Sequence, residues 1–258
     1  MEILFFLLVG CFAGLLAGLL GVGGGSIIVP ALIFIFQWIG VQSDSIVLMA
    51  VATSLACIVL TSLSSSLTHH LNKGVDWQAF KKISLGIPVG AIIGVTVVQM
   101  IDDYILKMLI AVFAIYIGVN SFLNLREIQI KIKERLITHF IAGNIIGFLS
   151  IPIGIGGGTF TVPYLRSLNY NIRNAIGTSA ACGVTISTVA TIFFSFPVYS
   201  PENIDNANFI YWPAVLWISI SSILFARLGA KLVYIMKEEH LKKIFGFSIM
   251  IVGFLLLF

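Results

Sequence analysis

An all-α, polytopic integral membrane protein, built from two inverted repeats that each hold a glycine-broken hairpin and three transmembrane helices, is the fold class this sequence predicts. Three observations predict it: apolar composition, an internal duplication and an asymmetric placement of charge. Of the 258 residues, 59% are hydrophobic and 10% charged, where a soluble domain carries roughly 25% charged residues. The runs Ile83–Met100, Ile105–Phe122 and Leu241–Phe258 reach the roughly 18 residues needed to cross hydrocarbon.

The duplication centres on Gly21-Val22-Gly23-Gly24-Gly25-Ser26-Ile27-Ile28-Val29-Pro30, which recurs as Gly154-Ile155-Gly156-Gly157-Gly158-Thr159-Phe160-Thr161-Val162-Pro163. It continues in order. Ala52-Thr53-Ser54-Leu55-Ala56-Cys57 pairs with Gly177-Thr178-Ser179-Ala180-Ala181-Cys182, Trp77 with Trp212, Gly94 with Gly229, Leu106-Lys107 with Leu241-Lys242, and Gly118 with Gly253. Residues 1–124 and 137–258 are therefore two copies of one plan within a single structural unit. The charged stretch 125–136 links them.

In the first copy the pattern predicts helical pieces near 3–20 and 26–38 around the glycines, then helices near 45–68, 82–100 and 104–124. The second copy predicts pieces near 137–153 and 159–169, then helices near 174–196, 209–235 and 240–258. Ser150–Ile153 reads as a lengthening of the second glycine element. Pro30 and Pro163 fit only the first turn of a helix, which places helix starts between Ser26 and Val29 and at the matching positions of the second copy. Ser26 and Thr159 then stand as N-caps.

Parity decides the relation of the copies. If each broken hairpin crosses the membrane once, Lys and Arg divide evenly between the two sides. If it turns back on itself, Lys73, Lys81, Lys82, Arg126, Lys131, Lys133, Arg135, Arg166, Arg173, Arg227, Lys231, Lys237, Lys242 and Lys243 share one side. The other side holds Lys107 with Glu2, Asp44, Asp102, Asp103, Glu202 and Asp205. Positive charge marks the cytoplasmic side, so the copies are inverted, both termini lie outside, and the linker is cytoplasmic.

Glycine runs are costly in a helix. Broken backbone at membrane depth is tolerated only where protein buries it or where it lines a wet cavity. Paired breaks in corresponding positions of two halves mark the binding site of a repeat-built transporter. Helix starts present free N–H groups and partial positive charge, which suits an anion. The candidate site is therefore Gly23, Gly24, Gly25 and Ser26 with Gly156, Gly157, Gly158 and Thr159. Thr53 and Ser54, with Thr178 and Ser179, add neutral hydroxyl donors. Cys57 and Cys182 share the helix face of Thr53 and Thr178, as lining or as small packing residues. Arg227 either counters the anion or snorkels to the interface. Gly10, Gly14 and Gly18 read as a close-packing seam.

Other features are plainer. His69 and His70 read as interfacial, and Trp77, Trp212 and Tyr211 as interfacial anchors. Leu8-Val9-Gly10-Cys11 loosely resembles a lipoprotein cleavage box but lacks a preceding Lys or Arg, and reads as an ordinary first membrane segment. The cysteines have no metal-ligand spacing. No nucleophile-base pair, GK[ST] loop or mid-helix carboxylate is seen, so no enzyme, no cofactor and no carboxylate proton relay is expected. The net charge of +4 reflects orienting loops and not nucleic acid.

The GLLGVGGGSIIVP element at Gly18–Pro30, the IGIGGGTFTVPYL element at Ile153–Leu165, the AxTSL and GTSAAC elements and the GVDW stretch at Gly74–Trp77 resemble the TauE/SafE family of sulfite-exporter-type membrane proteins. The resemblance covers the whole chain. It implies movement of small sulfur-containing anions (sulfite, thiosulfate, organosulfonates such as sulfoacetate) or related organic acids across the cytoplasmic inner membrane. The expected function is secondary transport of a small anion by alternating access, one repeat rocking against the other. An anion channel or facilitator is the alternative. The expected partners are the anion and the lipid bilayer, with homo-oligomerisation left open.

Reporter fusions test the topology. A fusion within 125–136 is expected to report cytoplasm and one at Phe258 the outside; a cytoplasmic C-terminus would refute the inverted assignment.

Overall fold

The computed structural model describes residues 2–41, 45–122, 135–196 and 209–236, with residues 243, 247, 250 and 254 beyond them. The last predicted helix, most of the linker and the acidic residues Asp44, Glu202 and Asp205 lie outside the described residues. Within them the chain is entirely helical: α1 (Glu2–Leu20), α2 (Gly25–Trp38), α3 (Ile46–Leu71), α4 (Trp77–Ser84), α5 (Ile87–Val98), α6 (Asp103–Phe122), α7 (Leu136–Ile153), α8 (Gly158–Ser167), α9 (Ile172–Ser195) and α10 (Trp212–Leu232). Helices α1, α3, α7, α9 and α10 are each long and apolar enough to cross a membrane.

The outward faces are apolar at helical spacing: Ile137, Ile141, Ile145 and Leu149 on α7, and Leu216, Ile220, Leu224 and Leu228 on α10, are all exposed. The interior holds glycine, alanine and hydroxyl residues, including Thr53, Ser54, Thr61, Ser62, Thr178, Ser179, Ser187 and Ser222. Such a distribution suits lipid outside and close backbone contact within.

Both broken hairpins fold back. The rings of Phe5, at the start of α1, and Trp38, at the end of α2, lie 5.4 Å apart. Tyr164 Oη of α8 is hydrogen-bonded to His139 Nδ1 near the start of α7, at 2.9 Å. The breaks themselves are glycine geometry. Gly21, Gly23, Gly24, Gly154 and Gly157 all have φ between 66° and 85°, a region that side chains disfavour. Gly24 and Gly157 are the residues before α2 and α8, so these helices start at Gly25 and Gly158, not at or after Ser26 and Thr159. Ser26 and Thr159 thus stand inside the first turn and do not cap it. The ends of α1 and α7, Leu20 and Ile153, match in the repeat. Ser150–Ile153 is part of α7 and lengthens nothing.

The predicted helix near 82–100 is two helices. Helix α4 starts earlier, at Trp77, where Asp76 accepts from the N–H groups of Gln78 and Ala79. Helix α5 leaves it at a 47° bend. Pro88 in the first turn of α5 has no N–H to continue α4, and a side chain at Gly86 would collide with the Phe140 carbonyl. At the start of α3, the Asp103 carboxylate of α6 accepts from the N–H groups of Val47 (2.8 Å) and Leu48 (3.1 Å), a cap lent by another helix.

The two copies exchange helices. Helix α1 packs along α10, and α7 packs along α5. Gly10, Gly14 and Gly18 meet Ile218/Ser221, Ser222 and Ala226/Ala230 in turn, so α1 and α10 run in the same direction. Gly86, Gly90 and Gly94 likewise meet Phe140, Asn144 and Phe148. The seam predicted at Gly10, Gly14 and Gly18 is therefore present, with α10 as its partner. Two bundles result, α1–α2–α3–α10 and α4–α5–α7–α8–α9, joined chiefly where α3 crosses α9. Gly177 lies against His69 and Gly183 against Ser62, so α3 and α9 run antiparallel.

A β-carbon on Gly14 would sit 2.5 Å from the Ser222 carbonyl oxygen, and one on Gly147 2.5 Å from that of Ile87. Gly14→Leu and Gly147→Leu are each expected to destabilise the detergent-purified protein by about 1–3 kcal/mol or more. Thermal unfolding followed by intrinsic fluorescence checks this; unchanged melting would refute the seams.

Candidate functional site

The two glycine breaks touch. Gly156 N–H donates to the Val22 carbonyl at 3.1 Å. A β-carbon on Gly23 would lie 3.3 Å from the Gly156 Cα. Around this contact the sequence repeat becomes a reciprocal set of bonds. Ser54 Oγ donates to the Gly154 carbonyl at 3.1 Å, and Ser179 Oγ to the Gly21 carbonyl at 2.8 Å. Tyr211 N–H donates to Thr53 Oγ1, and Asp76 N–H to Thr178 Oγ1, both at 2.9 Å. Every one of these bonds runs from one half of the chain to the other.

The hydroxyls expected to face a substrate therefore serve the partner half's backbone. Thr53, Ser54, Thr178 and Ser179 are fully buried. A broken helix leaves carbonyls and N–H groups without partners in a place where water is scarce, and each would be costly if left alone. The Thr-Ser pair of each half satisfies one carbonyl at the opposite break and one N–H at the opposite helix start.

What the chain leaves free is the donor side of the breaks. Among the described residues, the N–H groups of Gly23, Gly24, Gly25 and Ser26, and of Gly157, Gly158 and Thr159, donate to no protein acceptor. Helix α2 leaves the crossing in one direction and α8 in the other. Two helix starts with unpaired N–H groups thus meet midway along α3 and α9, and each end carries partial positive charge. Such an arrangement can hold a small anion.

The remaining predicted residues divide. Cys57 and Cys182 are fully buried on α3 and α9, beyond the break-facing pairs. Ser26 is half-buried in the first turn of α2. Arg227 is exposed on α10 beside the outward Leu224 and Leu228, whereas the face of α10 that meets α1 carries Ala226, Gly229 and Ala230. It is turned away from the crossing.

His69 differs from its interfacial expectation. It is fully buried, with Nε2 3.0 Å from the Gly18 carbonyl and Nδ1 3.0 Å from Tyr234 Oη. Since the carbonyl can only accept, Nε2–H donates, and a neutral ring takes the Tyr234 proton at Nδ1. Arg173 donates to the Tyr234 carbonyl at 3.3 Å. Burial raises the Tyr234 pKa, with the Arg173 charge opposing it. The cluster ties the end of α1, just before the break, to α3, α9 and the end of α10. Tyr211 is half-buried against Phe36, with ring centroids 5.3 Å apart, while Trp77 and Trp212 are exposed as anchors should be. Ser62 on α3, buried beside Gly23 and Gly183, borders the breaks at a position that sequence reasoning did not single out. The signal available was its position two turns after Thr53-Ser54, within a serine run that reads as packing.

Comparison with known proteins fits this arrangement. The profile of the family described as "Sulfite exporter TauE/SafE" matches residues 6–256. The chain belongs to the TauE/SafE family. It is 34% identical to a "Probable membrane transporter protein" of Haemophilus influenzae, over 97% of this chain and 96% of that protein. It is 29% identical to one of Methanocaldococcus jannaschii, over 97% and 94%, and 25% identical to one of Bacillus subtilis, over 98% and 99%. No solved structure matches the chain significantly. With its apolar helices, the family places this TauE/SafE protein among multi-pass membrane transporters.

Thr53→Val and Thr178→Val each strip the acceptor from a backbone N–H. Each is expected to cost about 1–3 kcal/mol of stability, while Thr53→Ser and Thr178→Ser keep it. Melting of the four variants is the check; equal melting of Val and Ser forms would show that the hydroxyls are not structural.

Proposed function

We propose that this TauE/SafE-family protein is a secondary transporter of small anions, with sulfur oxyanions such as sulfite and thiosulfate as the favoured class. One observation carries the reading: two helix starts with unpaired N–H groups meet back to back in the protein interior. No Lys or Arg approaches the crossing among the described residues, so the donors are neutral dipoles. Neutral donors bind an anion without trapping it, which suits repeated loading and release. The name of the family supports the sulfur oxyanion class.

Several contacts support inverted repeats. The equivalent helices α3 and α9 run antiparallel, and both hairpins turn back. The same arrangement puts the start of α1 and the start of α7 on opposite faces, consistent with a cytoplasmic linker and outward termini in the inner membrane. Alternating access then takes a different form from repeat rocking against repeat. The glycine seams bring the α1/α10 and α5/α7 backbones too close for easy sliding. The moving bodies are the two exchanged bundles, each drawn from both repeats, hinged along the α3–α9 crossing. The glycine breaks sit on that hinge, so their separation would expose the N–H groups to one side at a time.

Purified protein in liposomes is expected to take up labelled sulfite or thiosulfate with saturation, and faster when the same anion is loaded inside. Linear uptake without counterflow would replace the transporter reading by a channel. No uptake of either anion, with acetate and sulfoacetate also silent, would refute small-anion transport.

A further inference from the structure

Serines inside helices usually turn their hydroxyl back to the carbonyl one turn earlier. Thr61 does so toward Cys57 at 3.0 Å, Thr68 toward Ser64 at 2.9 Å, and Ser150 toward Ile146. Neighbouring hydroxyls of α3 reach another helix: Ser64 donates to the Ile223 carbonyl of α10 at 2.8 Å, and Thr61 also meets Ser222 of α10 at 2.7 Å. Ser62 does neither. It is 1% exposed, and its Oγ has no hydrogen-bond partner.

Its position is informative. A β-carbon on Gly23 would lie 3.1 Å from Ser62 Oγ, and one on Gly183 would lie 2.9 Å from it. The hydroxyl therefore borders the crossing of the breaks, beside Gly23, whose N–H group is unpaired. Its repeat counterpart is Ser187, which follows Thr178 by the spacing that separates Ser62 from Thr53. Ser187 Oγ is occupied: it donates to the Gly183 carbonyl at 2.7 Å, with the Val184 carbonyl at 3.2 Å. The duplication has thus kept a serine at both places and freed only one.

We propose that Ser62 is the side-chain donor of the substrate site. In this assignment Ser62 O–H and the N–H groups of Gly23, Gly24 and Gly25 bind the oxygens of one anion, held to the first-half side of the crossing. The rest of the wall is Ile58, Gly156 and Gly183. It offers no cation and little width, so the site takes a compact oxyanion of a few heavy atoms and disfavours a sulfonate carrying an organic tail. The proposal rests on the anion-transport reading above and adds the residue and the size class.

The test is anion binding to the full-length purified protein, by thermal shift across concentrations of sulfite, thiosulfate, sulfate and sulfoacetate. Wild type is expected to bind at least one inorganic oxyanion more tightly than sulfoacetate. Ser62→Ala is expected to weaken that binding about tenfold or more, and Ser187→Ala to leave it within about twofold. Ser62→Cys keeps the size with a poor donor and is expected to fall with Ser62→Ala, which separates donor loss from misfolding. Unchanged affinity in Ser62→Ala, with wild type binding normally, would mean the hydroxyl holds only a trapped water, and would overturn this assignment alone. Tighter binding of sulfoacetate than of every inorganic oxyanion would overturn the size class. Binding of none of these anions by wild type would overturn the anion-transport reading and this proposal with it.

Discussion

Backbone that leaves a helix inside a membrane must find hydrogen bonds within the protein, and this constraint organises the molecule. Each glycine break exposes a carbonyl, Gly21 in one half and Gly154 in the other, that its own half does not satisfy. The opposite half supplies the hydroxyl, from Ser179 and Ser54. The starts of α4 and α10 are handled the same way, through Thr178 and Thr53. Neither half can close its own polar groups, so neither is a domain. Each copy is the hydrogen-bonding environment of the other.

The same constraint explains why the breaks can be so glycine-rich. A β-carbon on Gly24 would stand 2.6 Å from the Ala13 carbonyl oxygen, and Gly25 and Gly158 lie directly against the carbonyls of Gly154 and Gly21. The positive φ at Gly24 and Gly157 turns the chain back on itself within a few residues, and the missing side chains let the two turns approach. The carbonyls of Gly21, Val22 and Gly154 are consumed in this contact, whereas of the N–H groups only that of Gly156 is. Excess donors at the meeting point of two helix starts are a physical bias toward anions that owes nothing to any charged side chain.

The paired glycine elements, the Thr-Ser repeats and the Gly10/Gly14/Gly18 stripe could be read from the chain because each is a local departure from what a helix in lipid tolerates. The exchange of α10 and α5 between copies could not, since Gly86, Gly90, Gly143 and Gly147 announce close packing but not a partner. The Thr-Ser pairs were legible as functional positions yet their task was not: a hydroxyl that binds a ligand and one that binds backbone have the same sequence signature. His69 reads as interfacial because Asn72 and Lys73 follow it, although α3 runs to Leu71 and its His69 side chain is turned onto Gly18 of α1 and Tyr234 just after α10. Arg227 was decided by helical angle alone, one residue from Ala226, which faces α1. The bend between Leu85 and Ile87 was hidden in a continuous apolar run, with Pro88 as its only mark.

On the proposed anion-transport reading, asymmetry within the duplication makes the two faces of the site unequal. The interface of α3 with α10 is hydroxyl-rich, with Thr61, Ser64 and Ser222 bonded across it. The matching interface of α9 with the α4–α5 pair brings the apolar Ile83, Ile87 and Ala91 into the core. One copy has a straight α10 and the other a bent α4–α5 pair. Two inward helix starts of equal character would leave the anion no reason to prefer either, and a perfectly symmetric crossing would place it on the axis. A polar lining on one side and an apolar one on the other breaks that balance. As the breaks part, the bundle containing α3 can offer the Ser62 hydroxyl and the other bundle that of Thr159 in the first turn of α8, so the two sets of side-chain donors differ in position. On the proposed anion-transport reading, the two access states are then unequal in what they present to the anion, so its affinity differs between the two faces, while the gradient sets the direction of net flow.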